Sequence, residues 1–155
     1  MPSRLQDEIK QSRPFERPGD EALLSILRTA SVLEYSLNEL LRPFGLTMTQ
    51  YNVLRILQGA GSAGLCGREI GERLVSRVPD VSRLLDRMTE LALVSKKRDA
   101  ADQRHVTSRI TAKGRRLLAK ATPALEEAEG GRMDRLSDRS VKALIEALEL
   151  IREAS

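Results

Sequence analysis

The stretch that decides the fold is residues 78–110, VPDVSRLLDRMTELALVSKKRDAADQRHVTSRI. Its first part has apolar residues on one face of a helix and charged residues on the other. The apolar face comprises Val81, Leu84, Leu85, Met88 and Leu91, and the opposite face comprises Asp80, Arg83, Arg87 and Glu90. Residues 94–98 and 106–110 are predicted to form two strands joined by a polar turn. A short amphipathic helix followed by a charged hairpin is therefore expected.

The start of this helix carries its own signals. Val78-Pro79-Asp80 is expected to open it, since proline is favoured at the first helical position and an acidic residue in the first turn. Asp80 has two interpretations: it caps its own helix, or it accepts a hydrogen bond from cytosine. The capping role is favoured because it needs no partner outside the chain.

Upstream of this stretch, the sequence predicts three more helices. Pro18-Gly19-Asp20 is a helix start with Asp20 as N-cap, and an apolar stripe then runs to about Pro43. Thr47 and Gln50 form a capping box before a second helix. A third, short helix spans 68–74. The first helix is too long for one small core to cover, so part of its stripe is expected to meet another chain.

Downstream, Thr111 is expected to cap a helix that Pro123 kinks and that Gly130-Gly131 weakens or ends. The last helix begins at Ser137 and has a strong apolar stripe. The predicted fold class is mostly α with a small β wing, in which a helix-turn-helix is followed by a charged hairpin. The segment 1–19 is expected to be a mobile arm.

The composition argues against an enzyme. The 155 residues include one cysteine, Cys66, and one histidine, His105, so no disulfide framework and no zinc-type His/Cys cluster can form within one chain. No cofactor or metal is expected. A redox-sensing role for Cys66 is weighed against a small buried residue, which is favoured. The longest apolar runs are four residues, far below the roughly 20 of a membrane span, so the cytoplasm is the default expectation.

Positive charge is concentrated in the centre of the sequence. Residues 1–67 are neutral overall, residues 68–116 carry a net +6, and residues 117–155 carry a net −2. Such a segment is typical of a surface that faces phosphates, although a solvated basic face remains an alternative.

In a helix-turn-helix, residues near the start of the second helix reach base edges in the major groove. The candidates on the recognition helix are Pro79, Asp80, Ser82, Arg83 and Arg87, of which Arg83 is the strongest because guanidinium matches the paired acceptors of guanine. The candidates on the wing are Lys96, Lys97, Arg98, Asp102, Arg104 and His105. Arg104 suits the narrow minor groove, with Asp102 holding its guanidinium by a bidentate bond. His105 is expected to orient the wing or touch phosphate.

Residues 47–118 resemble the MarR family of bacterial transcription regulators. The resemblance rests on three pieces in order: LTMTQYNVL at 46–54, VPDVSRLLDRM at 78–88, and DQR at 102–104 followed by ITAKG at 110–114. The flanking helices fit the family in pattern only. Two departures are Ala92, where the family often has a glycine that ends the recognition helix, and an N-terminal arm longer than the family needs.

The resemblance implies a winged helix-turn-helix DNA-binding module (46–116) flanked by an N-terminal dimerisation helix (20–45) and C-terminal dimerisation helices (117–155). It further implies a homodimer that represses or activates transcription at palindromic DNA and is released by a small ligand, commonly aromatic or phenolic, or by an oxidant. The candidate dimerisation residues are Leu23, Leu27, Leu144, Leu148 and Ile151. Tyr35 and Tyr51 are candidates for an effector pocket between the dimer helices and the DNA-binding module, with ordinary core or interface roles as the favoured alternative. The competing functions are a protein-interaction adaptor and a DNA-architectural dimer without sequence preference.

Overall fold

The computed structural model describes residues 3–153, which are mostly helical with one small sheet. The helices are α1 (Arg4–Glu8), α2 (Pro18–Leu41), α3 (Met48–Ala60), α4 (Gly67–Arg73), α5 (Val81–Glu90), α6 (Ala112–Met133) and α7 (Asp138–Glu153). The strands are β1 (Leu65–Cys66), β2 (Val94–Arg98) and β3 (Val106–Ile110). Single turns of 3-10 helix, Arg42–Phe44 and Gly61–Ala63, follow α2 and α3. The predicted fold class is confirmed.

The sheet is antiparallel, and β3 lies between β1 and β2. β2 and β3 pair along their whole length, from Val94 opposite Ile110 to Arg98 opposite Val106. β1 pairs with the other edge of β3 and places Leu65 opposite Ser108. Both wing strands have the bounds that the sequence predicts.

The core lies beneath this sheet, where α3 packs against α6 and β3, and α5 packs against α4 and β2. Its largest fully buried apolar side chains are Leu41, Leu54, Leu57, Ile70, Met88, Leu125, Val53 and Val94. The predicted capping box opens α3: the Thr47 hydroxyl accepts from the Gln50 N–H at 3.1 Å, and the Gln50 side chain accepts from the Thr47 N–H at 3.0 Å.

Gly114, in the first turn of α6, allows this helix to lie close to the segment that enters β2. A Cβ at Gly114 would lie 2.4 Å from the carbonyl oxygen of Leu93 and 2.9 Å from the side chain of Ile110. Cβ atoms essentially never make contacts this short. Only glycine therefore lets the first turn of α6 lie against the segment that enters β2.

Two helices begin at different residues from those expected. α2 begins at Pro18 after the N-cap residue Arg17, and Asp20 lies in the first turn, where its carboxylate pairs with Arg17 at 2.8 Å. α5 begins at Val81 after the N-cap residue Asp80, so Pro79 precedes the helix. Proline therefore holds the first position of α2 but not of α5, which corrects both predictions.

Residues 3–17 include a short helix where the sequence indicated none. Leu5 and Gln6 of α1 are buried, and the carboxylate of Glu8 lies 3.8 Å from the Arg28 guanidinium of α2. The expected arm spans 1–19, of which residues 1 and 2 lie outside the described part. Its mobility stays a prediction.

α6 is continuous across Pro123 and Gly130-Gly131 and ends at Met133, so these glycines do not end it. The Arg132 guanidinium donates to the Ser36 hydroxyl and ties the end of α6 to α2. α7 begins after Ser137, whose hydroxyl accepts from the Ser140 N–H at 3.2 Å. Of the expected C-terminal segment, residues 154 and 155 lie outside the described part. Between residues 3 and 153, no helix combines the length and apolar character needed to cross a membrane.

Candidate nucleic-acid interface

Asp80 fixes the start of α5. Its carboxylate Oδ1 accepts a hydrogen bond from the Arg83 N–H at 2.9 Å, which satisfies one of the backbone donors that a helix leaves free at its N-terminus. The structure therefore supports the capping role of Asp80 over direct contact with a base. Pro79 lies just before this cap and is exposed.

The outer face of α5 carries two arginines one turn apart. Leu85 and Met88 are buried against the core, whereas Ser82, Arg83 and Arg87 are exposed. Within residues 3–153, neither arginine lies within ion-pair distance of a carboxylate. Both guanidiniums are thus available to an external anion or base edge.

The wing turn is built from two aspartates that bind backbone. The Asp99 carboxylate accepts from the Ala101 N–H at 2.8 Å, and the Asp102 carboxylate accepts from the Arg104 N–H at 3.0 Å. The Asp99 N–H donates to the His105 carbonyl at 2.9 Å, and the His105 N–H donates to the Asp102 carbonyl at 3.0 Å. These bonds hold a compact turn at the end of β2 and β3.

Arg104 projects from this turn with its side chain 97% exposed. Its Nε lies 3.8 Å from Asp102 Oδ1, so the expected bidentate bond is wrong. Asp102 instead accepts from the backbone of Arg104 and shapes the turn that presents the side chain. His105 is also exposed and lies at the base of the same turn.

The other three wing cations have different surroundings. Lys97 is exposed and has no carboxylate partner among the described residues. Arg98 Nη1 donates to the Gln103 carbonyl at 2.9 Å and so braces the turn. Lys96 pairs with the carboxylate of Asp86 on α5. The structure brings the predicted wing residues together. Lys96 and Arg98 already have partners within the chain, whereas Lys97 is available to an external anion.

A backbone motif that the sequence did not predict joins α5 to the wing. Ala92 adopts φ +57°, the left-handed conformation that the resemblance expects of glycine. The Ala92 N–H donates to the Thr89 carbonyl at 2.9 Å and the Leu93 N–H to the Met88 carbonyl at 3.0 Å, which is a Schellman motif. Alanine therefore supplies the left-handed cap at the end of α5.

The start of α6 makes hydrogen bonds to the backbone that joins α5 to β2. The Thr111 hydroxyl donates to the Ala92 carbonyl at 2.7 Å and accepts from the Gly114 N–H at 3.0 Å, which confirms its predicted cap. Lys113 Nζ donates to the Leu91 carbonyl at 2.9 Å. These contacts link α5, β2 and α6 into one unit, so α5 and the wing have a defined geometry.

Cys66 lies at the N-cap of α4 and is half-buried. Its N–H donates to Glu69 Oε2 at 2.8 Å. Hydrogen bonds from the backbone and side chain of Cys66 lower the pKa of Glu69, and electrostatic interactions with Arg73 and His105 act in the same direction. Glu69 is therefore held in its charged form at the start of α4.

The two candidate effector tyrosines lie apart. Tyr51 is in the core, and its hydroxyl lies 3.0 Å from the Thr122 hydroxyl of α6. Tyr35 is 69% exposed on α2. Neither lines the cavity of about 230 Å³ between α2, α3 and the α4–α5 connection. That cavity is lined by Ala30, Leu33, Glu34, Leu37, Met48, Thr49, Asn52, Leu74, Val75 and Ser76.

The candidate dimerisation residues leave apolar surface uncovered in the single chain. Leu23 and Leu27 on α2 are 54% and 57% exposed, and Leu144 and Ile151 on α7 are 44% and 49% exposed. Leu148 is half-buried. Within residues 3–153, α2 buries only Leu41 and α7 buries none of its side chains.

Comparison with known proteins matches this arrangement to one family. Residues 44–105, from the end of α2 to the wing turn, match the model of the MarR family. No curated protein matches the chain at a significant level. Solved structures, by contrast, match nearly its whole length.

Sco5413, a MarR family transcriptional regulator from Streptomyces coelicolor, is 28% identical, with a TM-score of 0.75 over 88% of this chain and 94% of that chain. The transcriptional regulator MOSR of M. tuberculosis, solved in complex with DNA, is 28% identical, with a TM-score of 0.69 over 86% and 96% of the two chains. CouR from Rhodococcus jostii RHA1, bound to p-coumaroyl-CoA, is 25% identical, with a TM-score of 0.72 over 88% and 95%. The match over residues 44–105 and the shared fold make this chain similar to MarR family transcriptional regulators.

Proposed function

We propose that this chain is a homodimeric, sequence-specific regulator that binds duplex DNA at palindromic operators and acts as a repressor. The observation that carries the proposal is the pair of exposed arginines on α5, Arg83 and Arg87, beside a wing that presents Arg104. In this arrangement α5 enters the major groove and Arg104 reaches the minor groove. MOSR, which is similar to this chain, was solved in complex with DNA, and this supports DNA as the partner.

A dimer follows from the apolar faces of α2 and α7. Two-fold symmetry repeats α5 and the wing, and the two recognition helices then read half-sites about one helical turn apart. A palindromic operator has the same symmetry as such a dimer. The proposal thus joins the DNA-binding surface and the uncovered helices in one assembly.

Fluorescence anisotropy tests the DNA-binding proposal, with the duplex upstream of the protein's own gene and a scrambled duplex of equal length. We expect tight binding to the first duplex that weakens steeply with salt, because contacts to phosphates release counterions. Equal affinity for both duplexes would instead support the architectural alternative. No binding to either, even at low salt, would support the adaptor alternative.

We also propose that a small aromatic or phenolic ligand enters the cavity between α2, α3 and the α4–α5 connection and releases the protein from DNA. The cavity has a largely apolar lining, and its walls include Leu74 and Val75, which precede α5 in the chain. Glu34 is the one charged residue among the described lining residues. A neutral phenol therefore suits the cavity better than an aromatic carboxylate, which would meet a like charge.

Thermal unfolding with matched probes tests the ligand class. We expect phenol to raise Tm, since a ligand that binds the folded state stabilises it. Benzoate, of similar size but negatively charged, should have a smaller effect. Phenol should also reduce anisotropy of the bound operator. A larger Tm increase with benzoate would contradict the assignment of a neutral ligand.

A further inference from the structure

Asp86 and Lys96 form an ion pair between the two elements of the DNA-binding surface. Asp86 lies in the middle of α5, and Lys96 lies in the middle of β2. The Lys96 ammonium donates to Asp86 Oδ1. No other cation lies within ion-pair distance of Asp86 in the described part of the chain.

The geometry of β2 directs Lys96 inward. Alternate side chains of a strand point to the same face, so Lys96 shares a face with Val94, which is 1% exposed. Its partner across the ladder is Ser108, which is also 1% exposed. The Lys96 side chain is only 23% exposed, whereas Asp86 is 63% exposed. The lysine stem therefore lies between α5 and the sheet, and only its ammonium reaches the carboxylate.

Two other cations line the groove into which Lys96 points, and each already has a partner within the chain. The groove, of about 700 Å³, lies between α4, α5 and the sheet, and its lining includes Arg68 and Arg98. Arg68 pairs with Glu72 at 3.0 Å, and Arg98 donates to the Gln103 carbonyl. Lys96 is thus the cation that holds α5 to β2 from within the groove.

A carboxylate on this face is otherwise unfavourable for binding DNA. Asp86 adjoins Arg87 and lies one turn from Arg83, on the face proposed to meet phosphates and bases. A negative charge there opposes binding to DNA by simple electrostatics. The ion pair with Lys96 neutralises this charge. It also joins α5 to β2, the two elements proposed to bind DNA together.

We propose that Asp86 is a positioning residue that fixes the angle between α5 and the wing through Lys96, and that Lys96 belongs to this support and does not contact phosphate. The inference rests on the proposed DNA-binding function. It reassigns one of the wing cations that the sequence grouped with Lys97 and Arg104. Its consequence is that removing a negative charge from the DNA-binding face weakens specific binding.

The first experiment compares Asp86→Asn with Glu90→Gln by anisotropy on the operator and scrambled duplexes. Glu90 is an exposed carboxylate one turn further along α5, without an ion pair among the described residues, so it is a matched control for charge. We expect Asp86→Asn to lower the operator-to-scrambled affinity ratio by roughly twofold to 160-fold, the fold-change that corresponds to the coupling between residues in contact. Glu90→Gln should leave operator affinity unchanged or raise it.

The second experiment examines Lys96 itself. Lys96→Gln should lower the affinity ratio as Asp86→Asn does, and the double variant should be no worse than either single variant. Lys96→Arg, which keeps a cation for Asp86, should retain specificity. Lys96→Gln should also leave the salt slope unchanged, whereas Lys97→Gln should make it shallower by about 0.9 if Lys97 contacts one phosphate.

The outcomes separate the inference from the function on which it rests. Operator binding by the wild type together with tighter operator binding by Asp86→Asn would overturn the positioning role alone. A salt slope made shallower by Lys96→Gln would do the same, because it would place Lys96 on a phosphate. A wild type that binds neither duplex would overturn the proposed function and this role with it. Far-UV circular dichroism of each variant establishes that it is folded.

Discussion

Ala92 occupies a backbone conformation that costs an L-residue about 1–2 kcal/mol, because its Cβ approaches the following carbonyl. The chain tolerates this cost because the Schellman motif at the end of α5 and the Thr111 hydroxyl both bind the backbone there. The conformation is set by its surroundings, since nothing in the alanine side chain favours it. This is why a residue-by-residue reading of the sequence cannot find it.

Ala92→Gly is expected to raise the free energy of unfolding by about 1 kcal/mol, because glycine adopts positive φ without steric cost. Glycine also gains freedom in the unfolded chain, which removes part of the benefit. Chemical denaturation monitored by circular dichroism measures the change.

A matched control for Ala92→Gly is Ala119→Gly, at an exposed position inside α6. It should lower stability by roughly 1 kcal/mol, the usual cost of glycine in a helix. Equal destabilisation by the two variants would mean that position 92 is not left-handed in solution.

At the scale of elements, the wing strands and three helix caps could be predicted because they depend on local chemistry. Alternation and turn residues specify β2 and β3, and Thr47, Asp80 and Thr111 each carry a side chain that caps a helix. The contacts between elements could not be predicted in the same way. In the sequence, Lys96 cannot be distinguished from the other wing cations. Only the strand register and the packing of α5 show that it pairs with Asp86.

The recognition helix gives the first functional prediction at this scale. Arg83→Ala should remove discrimination at one or two base positions of the operator, worth roughly 1–3 kcal/mol each, because the guanidinium is proposed to bind a guanine edge. The measurement is a set of anisotropy titrations with single base-pair changes in the operator. An unchanged preference at every position would remove Arg83 from base reading.

The wing gives a second functional prediction with a different signature. Arg104→Ala should weaken binding to operator and scrambled duplexes alike and make the salt slope shallower, since the exposed guanidinium is proposed to meet the negative minor groove. Arg13→Ala removes an exposed arginine from the N-terminal segment and serves as the charge-matched control. If the two variants weakened binding equally, Arg104 would contribute only through the net charge of the protein and not through a contact in the minor groove.

At the scale of the whole molecule, charge and apolar surface are separated along the chain. The net positive charge lies in residues 68–116, which form most of α4, α5, the wing and the start of α6. The uncovered apolar side chains lie mainly on α2 and α7, at the two ends of the sequence. A single chain leaves these faces in water, which is unfavourable by about 25 cal/mol for each Å² of apolar surface. Association of two chains would cover them while leaving both DNA-binding surfaces free.

The last prediction tests this association. Leu144→Glu combined with Ile151→Glu should convert the proposed dimer into a monomer, because each dimer would otherwise bury four carboxylates without partners. Lys142→Glu changes charge on the opposite face of α7 and should leave the dimer intact. Sedimentation equilibrium measures the mass of each variant, and circular dichroism establishes whether it is folded. Since a monomer cannot bind two half-sites at once, the double variant should also lose operator affinity. A folded dimer of the double variant would place the interface elsewhere than on α7.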